Sequence, residues 1–553
     1  MAYNLTGRHP TVIKAQWNCN LEMENCPGRG GGGGGGLSVV NEDVMQNILA
    51  RLPALSFASA ACVNKTWNCV ANQILSRPKL ASALSLNRSL HVAAKEVLDK
   101  VLSEPIRPHF AIACIGSEFN LEEAHQLITE KLGRGTPIVT SSACGIIGVD
   151  GPTNELREVK WEYMPDENDP HCQEYNWFSN VNRGIVLVVG YLPGLRGTKE
   201  AMVDKFVMDI MDYSESVSGY TSPANIIMFG DRLIDMKPVL AKLDCAMPEE
   251  TIIVGDPKGC FLFGNGDDSL NGWGDLYFFD AVALVFAGDK EKSPGIGEIE
   301  FHLKLSTGVV PFGPQLNAVS VIENNSEFSW LSARVEGHDG ILDGQGLLDD
   351  INDMMDHAEV RDLYIGVTQQ REFSIGSENL GSATSLTFYE VIGGENDCIV
   401  VAGVGIKPGD AFLFYHSDSI TATSSSDNIH EEFEDLKADS NCTILGHVGD
   451  QSDQTEVFGG FIFSCYSLGG TYFGCPNLNT APFSLNFPNV PLAGVFCGEA
   501  IGRDSSYLSS EGEEEDEEDQ SFGRCCLHVY STVYLAMSYV PALPEHCVSH
   551  MML

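Results

Sequence analysis

The chain has 553 residues, of which 33 are lysine or arginine and 76 are aspartate or glutamate, so its formal net charge at pH 7 is −43. This charge repels phosphate backbones and anionic lipid, which argues against nucleic acid and membranes as partners. A content of 43% hydrophobic residues is that of a folded protein, and the length predicts several domains.

Cysteine usage and apolar segments indicate the compartment. The 17 cysteines lie scattered without regular spacings, as expected where thiols stay reduced. The N-terminal residues lack the continuous apolar stretch of a secretion signal, and no later apolar run reaches the roughly 18 residues that span a bilayer. We therefore predict an intracellular protein, in the cytoplasm, the nucleus or both.

The first predicted element is a small helical unit. Residues 1–36 end in seven glycines, whose backbone is too free to order, so we predict a flexible leader. A short helix that Pro53 ends is predicted from apolar residues on one face, namely Val44, Ile48, Leu49 and Leu52. Ser56 suits the N-cap of a second helix that reaches residue 74. The unit is assigned to residues 37–84, and a linking helix to residues 85–104.

The long body that follows has an α/β pattern. Its apolar runs of strand length are 109–116, 137–148, 184–191, 224–230, 251–255 and 280–288. Helical patterns occupy 120–133 and 198–215. Because the strand runs are apolar on both faces, we predict largely covered sheets. The predicted class is thus α+β or α/β, with a helical unit before a two-part body.

A second block of the body is predicted to begin near residue 331, which gives domains at 105–330 and 331–553. It contains a helical pattern at 349–366 and a hairpin at 398–416 that turns at Lys407-Pro408-Gly409-Asp410. The segments 136–150 and 490–504 both pass from proline through a strand to Cys-Gly, a weak sign of internal repetition. Dense like charge predicts a disordered acidic loop at 509–521.

The helical unit resembles the F-box. The residues that follow the family order are Asp43-Val44, Ile48-Leu49, Arg51-Leu52-Pro53 and Val63-Asn64-Lys65-Thr66-Trp67, whereas Val40-Asn41 stand where the family usually has Leu-Pro. The resemblance implies that the unit binds a Skp-type adaptor and, through it, cullin and RING subunits of a ubiquitin ligase. The adaptor-binding residues expected on this basis are Val44, Ile48, Leu49, Leu52, Pro53, Val63 and Trp67. From periodicity alone, these positions could equally form a small core.

The body resembles the FIST family, named for F-box and intracellular signal transduction proteins, over about residues 105–505. Phe463, Cys465 and Gly469 fit a family stretch in which Leu468 replaces an arginine, and further matches are Pro491, Leu492, Gly494, Phe496, Ile501 and Gly502. The family is thought to bind small molecules. The residues expected at a ligand or target pocket are Cys144, Gly145, Cys465, Gly469, Cys497, Gly498 and Glu499. The alternative is that these glycines only form tight turns.

Cysteines can also serve as nucleophiles or as zinc ligands. A cysteine nucleophile needs a base and a lowered pKa, and no histidine lies near Cys144, Cys465 or Cys497 in the sequence; Cys465 is the thiol expected to be accessible. Zinc could be bound by Cys525, His528, Cys547 and His550. Strand geometry argues against it, because residues three apart point to opposite faces. We assign no catalytic residue, cofactor or metal, and no leucine-rich repeat period is evident.

The resemblances together predict a substrate receptor of an SCF-type ubiquitin ligase, which binds the adaptor through the F-box and presents an unknown target protein through the body. Such a receptor promotes ubiquitination by proximity and needs no catalytic side chain of its own. Two alternatives stay open. One is a sensor of a small, amino-acid-like metabolite that the F-box tethers, and the other is a cysteine hydrolase.

Overall fold

The computed structural model describes residues 11–15, 42–133, 135–161, 182–199, 203–232, 234–264, 281–293, 295–324, 327–338, 340–355, 362–375, 378–441, 455–474, 476–504 and 525–542. The predicted acidic loop at 509–521 lies outside these residues. So does the predicted leader, apart from residues 11–15, which form a short strand.

The helices lie in three groups: an N-terminal cluster, helices against the sheets, and one beside a barrel. In chain order they are Glu42–Leu49 (α1), Ala54–Ala61 (α2), Lys65–Ile74 (α3), Leu90–Val101 (α4), Leu121–Leu132 (α5), Val203–Ser218 (α6), Lys237–Ala246 (α7), Gly344–Met355 (α8), Ser419–Asn441 (α9), Gly470–Phe473 (α10) and Ala481–Asn486 (α11). None of these helices is both long and apolar enough to cross a bilayer.

The strands up to the barrel are Thr11–Ala15 (β1), Lys79–Ser85 (β2), Phe110–Ile115 (β3), Ile138–Ser142 (β4), Gly145–Val149 (β5), Leu156–Lys160 (β6), Ile185–Tyr191 (β7), Leu195–Lys199 (β8), Asn225–Asp231 (β9), Ile252–Gly264 (β10), Ala281–Gly288 (β11) and Glu298–Thr307 (β12). The remaining strands are Val309–Asn324 (β13), Phe328–Val335 (β14), Leu363–Ile375 (β15), Glu378–Glu395 (β16), Cys398–Ala402 (β17), Ala411–Ser417 (β18), Glu456–Cys465 (β19), Leu492–Cys497 (β20), Ala500–Asp504 (β21), Cys525–His528 (β22) and Ser531–Val540 (β23).

The N-terminal helical unit, residues 42–74, contains three helices. The second helix predicted from Ser56 is wrong, because the chain breaks after α2 and restarts at Asn64, whose side-chain Oδ1 accepts a hydrogen bond from the Trp67 backbone N–H at 2.9 Å. This N-cap satisfies a backbone donor that would otherwise lack a partner. The unit has its own small core, formed by Leu49, Phe57, Ala60, Val70 and Ala71.

Within the described residues, the body forms two sheets and a closed barrel. The larger sheet follows the order β1-β8-β11-β9-β10-β4-β3-β7-β2, with β21 and β22 attached through β10. The smaller sheet follows the order β12-β23-β19-β20-β5-β6. Strands β13 to β18 close into the barrel in the order β13-β14-β17-β16-β15-β18. A mixed α/β body is therefore confirmed.

The two sheets pack face to face, and helices cover their outer faces. On β7, Val186 and Val188 enter the core between the sheets, while Leu187 and Val189 pack beneath α4 and α5. Helices α6 and α7 cover β9 to β11 on that same outer side. Helix α9, with Phe433, covers the smaller sheet. The result is four layers, which explains why the strand runs are apolar on both faces.

Long-range pairing divides the chain differently from the sequence prediction. Residue 330 lies inside β14, and β5 and β6 pair in one sheet with β20 and its neighbours from the far end of the chain. Strand β2 pairs with β7 in the larger sheet, and α4 packs on that sheet, so both belong to the body. Alternation of apolar residues reveals strands but not their distant partners.

The hairpin predicted at 398–416 is wrong. Its turn exists, because the Asp410 N–H donates to the Lys407 carbonyl at 3.0 Å and Gly409 has a φ of +96°. However, β17 pairs with β14 and β16, whereas β18 pairs with β13 and β15. The turn therefore carries the chain across the end of the barrel. The run predicted as one strand at 137–148 is likewise two strands in different sheets.

One buried arginine joins the sheet edge to a helix end. The Arg503 guanidinium on β21 lies 2.6 Å from the Asp244 carboxylate of α7, and both side chains are at most 5% exposed. It also donates to backbone carbonyls at the end of α7, including that of Met247 at 2.6 Å. Arg503 thus satisfies several carbonyls that the helix end leaves without an intrahelical partner.

We expect Arg503→Leu to lower the free energy of unfolding by about 3–5 kcal/mol, because Asp244 loses its cation and the carbonyls lose their donor. The double variant Arg503→Leu/Asp244→Leu should recover part of this loss. Arg183→Leu removes a half-exposed pair with Glu118 and should cost less than about 1 kcal/mol. Denaturant unfolding followed by circular dichroism measures all three, and equal losses for Arg503→Leu and Arg183→Leu would contradict the assignment.

Candidate functional site

Two short crossovers carry the chain between the sheets and lie side by side. One is residues 143–144, between β4 of the larger sheet and β5 of the smaller, and the other is residues 498–499, between β20 and β21, which runs the opposite way. The Cys144 backbone N–H donates to the Phe496 carbonyl at 2.9 Å. A Cβ on Gly145 would lie 2.4 Å from the Val159 carbonyl oxygen, so only glycine permits this approach.

The two crossovers are formed by segments 136–150 and 490–504, whose sequence similarity suggested internal repetition. Each passes from a strand through a two-residue link into a strand of the other sheet. Five of the seven residues expected at a pocket therefore lie on these crossovers or directly beside them. Cys465 joins them through the Gly498 carbonyl, and Gly469 joins them through the Lys160 side chain. We call this place the junction. It lies where the crossovers meet the end of β19 and the side of the barrel.

The three cysteines of the junction differ in exposure. Cys465 and Cys497 are 2% and 1% exposed, so the expectation that Cys465 is the accessible thiol is wrong. Their Sγ atoms donate to the carbonyls of Gly498 at 3.2 Å and Ser464 at 3.4 Å, respectively. Cys144 is the exposed thiol of the three. Cys465, at the end of β19, is buried because the barrel packs over it.

Burial holds these thiols in the protonated form. It raises the pKa of Cys465, and it raises that of Cys497 well above the ordinary value. The pKa of Cys144 is raised to about 11, first by desolvation and then by the Asp256 carboxylate. A nucleophilic cysteine needs a lowered pKa, so these values disfavour the hydrolase alternative.

Lys160 is a junction residue that the sequence analysis missed. It ends β6 opposite Gly145, and its ammonium lies 4.4 Å from the centroid of the Tyr466 ring. A Cβ on Gly469 would lie 2.6 Å from the Lys160 Cδ, so this glycine makes room for the lysine. Desolvation lowers the pKa of the ammonium. Among the described residues, no carboxylate lies within ion-pair distance of it.

An irregularity in β10 places Asp256 and Lys258 near Glu499. The pairing of β10 with β9 shifts between Asp256 and Gly259, and this shift brings Asp256 and Lys258 to the junction. The Lys258 Nζ lies 2.9 Å from Oε2 of Glu499, one of the predicted pocket residues. Burial is the main cause that raises the pKa of the Asp256 carboxyl to about 7, and the Glu499 carboxylate adds to it.

Helix α7 and the barrel contribute further charged groups near Glu499 and Lys258. Lys237, at the start of α7, places its Nζ 4.2 Å from the centroid of the Tyr389 ring, and burial lowers the pKa of this lysine. Burial also raises the pKa of Glu390. The Tyr530 hydroxyl donates to Asp362. A sequence signal for Asp256 and Lys258 is the glycine-flanked stretch Gly-Asp-Pro-Lys-Gly at 255–259.

The seven predicted adaptor-binding residues divide into exposed and packed positions. Val44, Ile48 and Val63 are 50%, 55% and 60% exposed, and Pro53 is exposed too. Leu49 is 1% exposed in the core of the N-terminal helical unit. The two remaining residues, Leu52 and Trp67, pack partly against that core. The unit therefore completes its own core and leaves apolar side chains uncovered.

The zinc candidate is only partly described. Cys547, His550 and the side chain of Cys525 lie outside the described residues. His528 is buried, and its Nε2 hydrogen-bonds the Gly502 carbonyl. Among the described side chains, no group of three or more histidine, cysteine, aspartate and glutamate residues is placed to hold a metal ion.

The raised pKa of Asp256 predicts a specific pH dependence. The folded protein keeps this proton up to about pH 7, whereas the ordinary value is 3.8, so the contribution of Asp256 to stability is lost as the pH rises through this range. Asp256→Asn keeps an oxygen for the Lys258 N–H and cannot ionise. Its melting temperature relative to wild type should therefore rise between pH 4 and pH 7 and stay constant above that range.

Thermal melts across this pH range measure the difference. Asp256→Ala should show the same change with pH at a lower absolute stability, because it lacks the hydrogen-bond acceptor. Curves for Asp256→Asn and wild type that run parallel at every pH would show that the pKa of this carboxyl is the same in the folded and the unfolded protein.

Comparison with known proteins bears first on the N-terminal helical unit. The F-box domain family matches residues 37–77, which include all seven predicted adaptor-binding residues and end before β2. Over 522 residues the chain is 39% identical to a protein of Arabidopsis thaliana named as an F-box/LRR-repeat protein, and the match covers 91% of this chain and 94% of the relative. The match thus extends over the sheets and the barrel as well as the helical unit. The chain belongs to the F-box protein family.

Proposed function

We propose that this F-box protein is the substrate-recognition subunit of an SCF-type ubiquitin ligase. The N-terminal helical unit binds a Skp-type adaptor, which connects it to cullin and RING subunits, and the body presents a target protein. The observation that carries the proposal is the exposure of Val44, Ile48 and Val63 on a unit whose core is already complete. Val44 and Ile48 lie one turn apart on α1, and exposed apolar side chains at this spacing are typical of a helix face that packs on a partner, while Val63 lies in the turn between α2 and α3.

Attachment of the unit to the body supports this role. The Ala54 backbone N–H donates to the Leu102 carbonyl at 3.0 Å, and Leu75 contacts both the core of the unit and the core under α4. Arg77 pairs with Glu456 at 3.4 Å. These contacts fix how the body is held when the unit is bound. A receptor works by holding its target near the ubiquitin thioester, which requires such a fixed geometry.

The proposal assigns the body to the FIST family. Its support is the gathering of Cys144, Cys465, Gly469 and Glu499, which the resemblance singled out from distant parts of the chain, around the two crossovers. The sheets and barrel are also unlike the repeated strand-and-helix units of a leucine-rich repeat solenoid. The leucine-rich repeats in the name of the Arabidopsis relative therefore describe that relative.

The first test is capture of a Skp adaptor and cullin by the purified chain at physiological salt. We expect the wild type to retain both, and Ile48→Asp/Val63→Asp to bind the adaptor at least about thirtyfold more weakly, because two apolar side chains that the adaptor would cover become charged. Both positions are exposed, so the variant should keep its circular dichroism spectrum and melting temperature.

Matched controls place the same change on other exposed apolar residues. Val92→Asp on α4 and Leu485→Asp on α11 replace side chains that are 42% and 67% exposed, and they should leave adaptor binding unchanged. A chain that lacks residues 37–80 should not be retained. If the wild type is not retained either, the receptor role is wrong.

A second function is favoured by the charges at the junction. Lys160 has no carboxylate partner among the described residues, while Glu499 and Lys258 lie together near the exposed Cys144. A small ligand that carries both a carboxylate and an ammonium group, as an amino acid does, fits this arrangement. The carboxylate would pair with Lys160, and the ammonium would pair with Glu499.

A thermal-shift screen against the amino acids tests this second function. A ligand at about a hundred times its dissociation constant stabilises the folded state by about 2.7 kcal/mol, so the melting temperature should rise. We expect Lys160→Met to remove that rise and Lys95→Met, on the exposed side of α4, to retain it. A rise that persists in Lys160→Met would place the ligand elsewhere. No rise with any amino acid would exclude this ligand class.

A further inference from the structure

One side of the barrel leaves an apolar row in solvent. Ile322 on β13 is paired with Trp330 on β14, and Trp330 is paired with Val400 on β17. Ile392 is the extra residue where β16 shifts its register against β17, beside Val400. Ile322 and Ile392 are 65% and 53% exposed, while the other two side chains are partly exposed. We call these four residues the barrel row.

The barrel interior does not need these side chains. The sequence neighbours of the row, among them Val321, Leu331, Ile399 and Val401, point inward and form the barrel core. Because side chains alternate along a strand, the row lies on the outer face. Packing against the sheets takes place elsewhere on the barrel, through Leu386 and Phe388 of β16. The row is therefore an uncovered apolar surface with a tryptophan at its centre.

Two carboxylates lie beside the row. The Trp330 indole N–H donates to Oε2 of Glu395 at 3.1 Å. Asp397, in the turn that joins β16 to β17, is exposed as well. Among the described residues, neither of these carboxylates forms an ion pair with a lysine, arginine or histidine. An apolar centre with an unneutralised acidic rim is complementary to an apolar segment flanked by basic residues.

We propose that the barrel row binds a basic, apolar segment of the protein that this receptor presents for ubiquitination. The inference rests on the proposed receptor function and identifies the part of the body that recognises the target. Two apolar side chains of the segment cover Ile322 and Ile392, which lie at opposite ends of the row. An arginine stacks on the Trp330 ring, where its guanidinium reaches Glu395, since stacking on tryptophan and pairing with a carboxylate both suit the planar cation.

The probe is a display library of random linear peptides, selected on the immobilised full-length protein. Selected peptides should be enriched in arginine or lysine beside aromatic or aliphatic residues. In fluorescence anisotropy, Trp330→Ala/Ile322→Ser should weaken their binding by at least about tenfold, because a central aromatic anchor is lost. Glu395→Gln/Asp397→Asn should weaken it severalfold and reduce its dependence on salt.

The control removes the same charge from another surface. Glu431→Gln/Glu434→Gln acts on exposed carboxylates of α9 and should leave peptide binding unchanged, which separates the barrel row from the general negative charge of the chain. The proposal is overturned if no peptide is selected, if the selected peptides lack basic residues, or if the barrel variants bind them as the wild type does.

Adaptor capture by the same variants separates this proposal from the receptor function. The barrel variants should capture the Skp adaptor as the wild type does, because the N-terminal helical unit is unchanged. If the wild type binds the peptides but not the adaptor, the receptor function fails and the binding surface stands. If it binds the adaptor but the peptides ignore the barrel row, the inference fails and the receptor function stands.

Discussion

The whole body depends on burial of one apolar layer between two sheets. Neither sheet can expose the faces that meet there, since phenylalanine, leucine and valine from both fill the space between them, with Phe229 from one sheet and Phe463 from the other. Because strands of each sheet come from both ends of the chain, this layer forms only after the chain has crossed from one sheet to the other and back. The two crossovers are among the points where it does so, and the junction forms where they meet.

Chemically unusual groups gather at the junction for the same reason. A link of two residues between packed sheets leaves little room, so glycine is required at Gly145. The nearby thiols of Cys465 and Cys497 are buried. The same confinement desolvates Lys160 and Asp256. It lowers the pKa of the lysine and raises that of the aspartate, so that the neutral form of each is favoured. Desolvated charges with shifted pKa values are typical of binding sites, and they also occur where dense packing alone encloses polar groups.

The sequence predicts the strands of this protein better than their neighbours. Residues 110–115 and 185–191 are apolar on both faces, and this pattern correctly predicts covered strands. The turn at Lys407-Pro408-Gly409-Asp410 is also correct, because local backbone preferences determine it. Its predicted hairpin fails, since pairing in the barrel is set by residues far away in the chain. The same limit hid Lys160, which reaches the junction only because β6 pairs with β5. Cysteine exposure failed for a related reason, because the barrel that covers Cys465 comes from a different part of the chain.

The barrel enters and leaves the sandwich at one point. Its first strand begins at Val309, opposite Ser417 at the end of its last strand, and the Asp418 backbone N–H donates to the Gly308 carbonyl at 2.8 Å. The strands that precede and follow the barrel in the chain, β12 and β19, pair with opposite edges of β23. Their positions in the sheet therefore do not depend on the barrel. An insertion with adjacent ends constrains its host little. The outer surface of the barrel can therefore change in sequence while the sandwich and the attached helices keep their structure.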